Sequence, residues 1–264
     1  MSPATTRRYR ATIQYDGTEY YGFQVQPQQR TIQGELERAL AQLTQAAIRV
    51  HGAGRTDAGV HAQGQVVHFD APWGHGCAAL QRGMNALLPA DIAVPALQEA
   101  EQGFDARFSA IRRLYIYKVY NAPVRVPLLG RFAHHVREPL DLSTMQQAAA
   151  ALEGTHDFAA FGQPPYGQNT VRTLFQATWR ASHEAQDEVY GVSVRMLYFG
   201  IEANAFLRGM VRRIVGTLLL VGSGILSAAD FVGIFEARDI SRAAPPAPPC
   251  GLCLWRVQYP DTVQ

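Results

Sequence analysis

Ala47-Ile48-Arg49-Val50-His51-Gly52-Ala53-Gly54-Arg55-Thr56-Asp57-Ala58-Gly59-Val60-His61-Ala62-Gln63-Gly64-Gln65-Val66-Val67-His68-Phe69 reads as two β-prone runs with a glycine-rich loop between them. The loop carries a guanidinium and a carboxylate two residues apart, at Arg55 and Asp57. Glycine allows left-handed turns and close backbone approach at a cost in stability, so Gly52, Gly54 and Gly59 point to a sharply bent, purposeful segment. Charged groups on a loop displayed by rigid strands are more often a site than a scaffold.

Working outward, Thr31 caps a helix with Ile32, Leu36, Leu40 and Leu43 on one stripe. Before it, Arg8–Tyr15 alternates Tyr9, Ala11, Ile13 and Tyr15 with Arg10, Thr12 and Gln14, the pattern of a half-buried strand ended by Asp16-Gly17. After the quoted run, a helix is predicted from about Ala78 to Leu87, stopped by Pro89. Asp91–Leu97 follows as a strand with Ile92 and Val94 on one face. The order is βαββαβ, the split βαβ or ferredoxin-like unit.

The second half repeats this order. Leu114–Tyr120 is an aromatic-rich strand and Leu142–Leu152 an alanine-rich helix ended by Gly154. Thr170–Ala181 and Val189–Phe199 read as a hairpin around Glu184–Glu188. Phe206–Val221 reads as a helix, Ser227 caps a short one, and Leu252–Tyr259 closes as a strand. The expected fold is therefore α+β. It has two ferredoxin-like, RRM-like βαββαβ halves, 1–105 and 106–264, with mostly antiparallel sheets and an active-site cleft between them. Ala243–Pro249 is a stiff connector, and Gln163–Asn169 an exposed loop.

Composition narrows the class. The 264 residues are 47% hydrophobic and 17% charged, enough for a core and against wholesale disorder. A net charge of +2 does not by itself imply nucleic acid. The 24 cationic side chains include one lysine, Lys118, and arginine is the better binder of phosphate and stacker on bases, although genomic codon bias gives the same count. Cys77, Cys250 and Cys253 are odd in number and fit a reducing cytoplasm. Met1–Arg8 lacks a signal-peptide core, and Ile214–Val221 is too short to span a bilayer, so neither secretion nor a membrane is expected.

The motifs divide unevenly. The glycine loop is no phosphate-binding Walker loop, since no Gly-Lys-Ser/Thr follows, and no dinucleotide fingerprint, since Asp57 stands where glycine is needed. Asp57 reads either as an Asx-turn residue or as a catalytic carboxylate. His51, His61 and His68 lack acidic ligands at useful spacing, and no metal is expected. Cys250-Gly251-Leu252-Cys253 is a lone pair entering a strand, which fits structural cysteines better than zinc or redox chemistry. Arg208 and Arg212, four apart near a predicted helix start, oppose the helix dipole unless an anion compensates. Tyr115 and Tyr117 face one way and Tyr120 the other. Beside Arg112 and Arg113 they suggest core packing on at least one face and base stacking with phosphate contact on the other.

Gly54–Ala62 with Gly64–Phe69 resembles the signature of the tRNA pseudouridine synthase A family. The likeness extends through Tyr15–Thr18, Tyr21–Gln24, Gln26-Pro27, Thr31–Gln33, Asn85–Pro89, Phe104–Ala110, Asn204–Arg208, Met210–Arg212 and Pro248-Pro249 with Gly251-Leu252. It implies a cofactor-free, homodimeric cytoplasmic isomerase that converts uridine to pseudouridine in the tRNA anticodon stem-loop, at positions 38, 39 and 40. It implies Asp57 as the catalytic aspartate, Arg55 as the neighbour holding the flipped nucleotide, Tyr115 packing on the target base and Arg208 pairing with Asp57. Arg112, Arg113 and Arg212 are candidates for holding the RNA. The chain departs from the family pattern at Leu114, where arginine is favoured, and at Gly209, where histidine is usual.

Such a reaction breaks a glycosidic bond, turns the uracil and rejoins it through carbon, with no atom gained or lost. It needs an ionised carboxylate to attack the sugar or base, or to remove a sugar proton, and it needs the base flipped out of its stack. Two rivals fit less well. A pair of RNA-binding RRM units would show an aromatic-rich basic pattern on the third strand, which Gln65–Phe69 lacks. A nucleotide hydrolase would place a second acid or metal ligands near Asp57.

Overall fold

The computed structural model describes residues 5–164, 167–182 and 194–260. Its elements are β1 (Thr6–Tyr15), α1 (Ile32–Thr44), β2 (His51–Gly52), β3 (His61–Pro72), α2 (Cys77–Leu87), β4 (Ile92–Glu99), β5 (Arg112–Asn121), β6 (His134–Val136), α3 (Leu142–Ala150), β7 (Gly154–Asp157), β8 (Val171–Ala181), β9 (Arg195–Ala203), α4 (Met210–Gly222), α5 (Ala228–Ala237) and β10 (Leu252–Gln258). The fold is mixed α+β. It divides into two compact units, one formed by the chain up to Arg112 with the segment from Cys253, the other by Arg113–Leu252. The boundary expected near residue 105 and this grouping differ in where the closing strand belongs.

In the first unit β1 lies between β3 and β4, antiparallel to both, with Tyr9 opposite Phe69 and Ala11 opposite Val67. Tyr9, Ala11, Ile13 and Tyr15 are buried, so the alternation in the sequence marks the core face of β1. Thr31 caps α1 by accepting the Gly34 N–H. The stripe of α1 buries Ile32, Leu36 and Leu40, and Leu43 crowds Gly83 of α2. β10 runs parallel to the start of β3, with Cys253 beside His61 and Leu254 beside Ala62. The close of the chain is tied down twice more: Gln258 accepts the Ile111 N–H at 2.9 Å, and the Tyr259 hydroxyl donates to the Ala106 carbonyl at 2.7 Å.

The strand expected over Ala47–Val50 is not part of a paired strand; regular pairing begins only at His51 and Gly52, opposite His68 and Val67. Side chains of α1 take the hydrogen bonds a strand partner would have taken. Glu37 Oε1 accepts the Val50 N–H at 3.0 Å, and Gln33 Nε2 donates to the Val50 carbonyl at 3.0 Å.

In the second unit β9 lies between β5 and β8, and β7 lies on the far side of β8, all antiparallel. β6 adds in parallel to β5, and α3 packs against β8, α4 and α5. Neither β6 nor β7 is signalled in the sequence; each is short, and Gly154 at the start of β7 also reads as a helix stop. The expected turn Glu184–Glu188, and Val189–Ser193 of the expected strand, lie outside the described residues, as do Pro165 and Tyr166 of the exposed loop. α5 carries the predicted Ser227 cap, completed into a capping box by Asp230.

Candidate active site

Asp57 sits on the loop 53–60, between β2 and β3. Every second or third residue of that loop is fastened to something outside it. The Ala53 N–H donates to the Val66 carbonyl at 2.8 Å, and Gln65 Nε2 donates to the Gly54 carbonyl at 2.7 Å. The hydroxyls of Thr56 and Tyr15 share a buried hydrogen bond of 2.8 Å. The Phe23 N–H donates to the Thr56 carbonyl at 3.1 Å, and the Gly59 N–H to the Tyr20 carbonyl at 3.2 Å. Within the loop, the Val60 N–H closes a turn onto the Asp57 carbonyl at 3.2 Å.

The segment 16–23 lies so close to this loop that Gly17 and Gly22 have no room for a side chain. A Cβ on Gly17 would stand 2.0 Å from the Val60 carbonyl oxygen. A Cβ on Gly22 would stand 2.6 Å from the Thr56 oxygen, and Gly22 adopts φ +88°, a left-handed conformation that suits glycine. Ala53, Thr56 and Val60 are buried, whereas Arg55 is exposed and Asp57 half-buried. The buried residues hold the loop, and the charged pair is what it presents.

Five of the residues singled out in the sequence lie at the start of β5 or near the start of α4. Arg112 is the first residue of β5 and half-buried. Arg113 is buried and donates to the Asn204 carbonyl at 2.7 Å. Tyr115 is buried and meets Phe206 edge-on, with centroids 5.1 Å apart. The start of β5 and the segment 204–208 are thus brought together inside the second unit. Tyr117 is buried on the same face and donates to the Pro248 carbonyl at 2.8 Å, and burial holds its hydroxyl well above the usual tyrosine range. Tyr120, on the opposite face, is also buried and stacks on His135 at 4.8 Å, so both faces pack.

The expected helix over Phe206–Val221 starts late. α4 begins at Met210, with Gly209 at its N-cap in a left-handed conformation, φ +71°. Arg208 precedes it as an exposed residue in an isolated bridge, its N–H on the Gln163 carbonyl at 3.0 Å. Arg208 and Arg212 therefore do not share a helical face. The Arg212 Nε donates to the Ala247 carbonyl at 2.7 Å, which ties α4 to the proline-rich connector.

His51 and His68 stack with centroids 4.9 Å apart, and His68 Nδ1 accepts the Ala106 N–H at 3.0 Å. Burial is the main cause that holds the His68 imidazole below its usual value. Among the described residues no group of three or more His, Cys, Asp and Glu side chains is arranged to hold a metal ion. Cys77, Cys250 and Cys253 are free thiols. No helix among the described residues is long and apolar enough to cross a membrane.

The residues that sequence reasoning missed are the ones that hold the loop: Tyr15, Gln65, Gly17 and Gly22. One signal was present for Gln65. A polar residue directly before Val66-Val67 in a run that must be buried calls for a specific partner.

A family model described as tRNA pseudouridine synthase matches residues 11–109 and 148–260. The chain is 41% identical over 256 residues to tRNA pseudouridine synthase A of Latilactobacillus sakei, covering 96% of this chain and 99% of the relative. It is 43% identical to the protein of the same name from Geobacillus sp. strain WCH70, again over 96% of this chain and 99% of the relative. A Paraburkholderia phymatum protein of that name is 42% identical over 95% of this chain and 90% of its own length. With the matched model spanning both units and the Asp57 loop inside it, the chain belongs to the tRNA pseudouridine synthase family, a family of isomerases.

Proposed function

We propose that this chain isomerises uridine to pseudouridine in the anticodon stem-loop of tRNA, at positions 38, 39 and 40, with Asp57 as its catalytic carboxylate. The observation that carries the assignment is the loop 53–60. Ala53, Gly54, Thr56 and Gly59 are fastened from outside the loop, it carries Arg55 and Asp57, and it lies within the family match. A carboxylate held in advance where the reacting atoms will sit spends no energy on finding its position during turnover.

In this reading Arg55 holds the flipped nucleotide, Tyr115 packs on the target base and Arg208 is the cation that faces Asp57. Arg112, Arg113 and Arg212 contribute to holding the RNA, chiefly by placing backbone and connector, since Arg113 and Arg212 bond to carbonyl oxygens. The two units are variants of one βαββαβ plan, supported by the order β4-β1-β3 with β2 on β3 in the first. The working form is a cytoplasmic homodimer that needs no cofactor or metal, because the reaction neither gains nor loses an atom.

Incubation with unmodified tRNA in the absence of metal, with release of tritium from uracil C5 as the readout, tests the activity. Asp57→Asn is expected to abolish release and leave tRNA binding within about threefold of the wild type, since a neutral isostere keeps the contact surface. Turnover by the variant would remove Asp57 from the chemistry.

A further inference from the structure

Gln65 is fully buried on β3, opposite Ile13 of β1. Its two amide atoms are treated unequally. Nε2 donates to the Gly54 carbonyl at 2.7 Å, whereas Oε1 is buried and meets no hydrogen-bond donor among the described residues. A buried amide with one unmatched oxygen is a poor way to gain stability, because the unmatched group costs about as much as the bond returns. A leucine of similar volume would fill the site without that cost. What the glutamine supplies and leucine cannot is a donor to the peptide joining Gly54 and Arg55, three residues ahead of Asp57.

That peptide lies between two anchored residues. The neighbouring anchors reach Ala53 through Val66 and Thr56 through Tyr15 and Phe23. Gln65 fills the gap between them from inside the core, where its own strand and the bond to the loop allow it no freedom. Rotation of the Gly54–Arg55 peptide would swing Arg55 and re-aim the residues that follow it. We propose that Gln65 is a positioning residue for the reaction: its amide N–H fixes the Gly54–Arg55 peptide, and with it the direction in which Arg55 and Asp57 meet the nucleotide. The proposal rests on Asp57 being the catalytic carboxylate.

Two variants test it, each assayed for thermal stability, tRNA binding and single-turnover rate on unmodified tRNA. Gln65→Leu is expected to keep Tm within about 3 °C and KM near the wild-type value, while kcat falls by about 10- to 100-fold, the scale of a small misplacement of reacting groups. Gln65→Glu has the same shape but donates only when protonated, and burial favours the protonated form. The ratio of its kcat to that of the wild type is expected to climb as pH is lowered from 8 to 6, about tenfold across the range. A flat ratio, or a Gln65→Leu rate near the wild type, overturns the proposal. If Gln65→Leu loses both Tm and rate, the Gln65→Glu ratio decides: a climb upholds the positioning role, and a flat ratio leaves Gln65 a packing residue only. Asp57→Asn separates the two levels. A working Asp57→Asn enzyme sinks the site assignment whatever Gln65 does. An inert one beside a normal Gln65→Leu sinks only the role of Gln65.

Discussion

The loop 53–60 and the loop 104–109 belong to the same unit and both display side chains to solvent, yet they differ in how much of their order is internal. Loop 104–109 combines bonds of its own with ties to Arg8, His68 and Tyr259. The Asp105 carboxylate accepts the N–H groups of Arg107 and Phe108 at 2.8 and 2.9 Å, the Ser109 N–H donates to the Asp105 carbonyl at 3.0 Å, and the Asp105 N–H donates to Ser109 Oγ at 3.1 Å. The result is a tight turn from which Phe108 projects, 80% exposed. Loop 53–60 closes on itself through Val60 to Asp57 and takes further bonds from β1, β3 and the segment 16–23. One residue, Asp105, takes part in each of the internal bonds of the first loop named above; residues scattered from Tyr15 to Gln65 hold the second. Borrowed order puts the proposed catalytic carboxylate under the control of the core, and on that reading it exposes activity to substitutions far from Asp57 in sequence.

The comparison breaks most visibly at Gly17. Gly17→Ala forces a Cβ against the Val60 carbonyl, and backbone has no rotamer with which to yield. The expected cost is about 2–3 kcal/mol by urea unfolding, with turnover down about 100-fold as loop 53–60 is pushed aside. Unchanged stability and rate would show that the 16–23 segment does not clamp the loop.

Asp105→Ala tests the other side. Losing the acceptor for two N–H groups resembles losing a helix cap, about 1 kcal/mol. Turnover is expected to stay within about twofold of the wild type, because loop 53–60 takes none of its bonds from Asp105. A much larger loss of rate would mean the two loops act as one.

The smallest effect concerns pH. His68 lies between the loops in the bonding scheme, on β3 and accepting from Ala106. Burial, aided by His51 and Arg8 and opposed by Asp105, lowers its folded-state value below the ordinary 6.5. The unfolded chain therefore takes up the proton first as pH falls, and stability is lost from about pH 6.5 downward. His68→Asn keeps an acceptor for the Ala106 N–H and removes the titration. Its Tm is expected to fall less than that of the wild type between pH 7 and pH 5; equal slopes would place the acid sensitivity elsewhere.

What was legible in the sequence follows from which interactions are local. The Thr31 cap and the stripe Ile32, Leu36 and Leu40 specify α1 within a dozen residues, and the alternation of β1 needs only its own residues. The glycine-bounded loop around Asp57 was legible for the same reason. The start of α4 was not. Apolar spacing from Phe206 onward continues a helical period, but the Arg208 N–H is taken by Gln163, more than forty residues away, and Gly209 turns left-handed. Ile48 and Val50 are buried as a strand's residues would be, yet Glu37 and Gln33 intercept the backbone bonds of Val50. The fastening of the candidate site was least legible of all, because Tyr15, Gly17, Gly22 and Gln65 read as ordinary strand and turn residues until their partners are known.

The parallel pairing of β10 with the start of β3 carries a consequence for biosynthesis. The strand that leads out of the Asp57 loop keeps an unmatched stretch of backbone at His61 and Ala62 until Cys253 and Leu254 arrive. On a ribosome that interval spans about 190 of the 264 residues, so the first unit is left waiting while the second is made. Contacts so distant along the chain are slow to form and leave an edge open to wrong partners meanwhile. A nascent chain stalled before residue 250 should be held by chaperones and digested easily at the Asp57 loop, and release of the last few residues should close it.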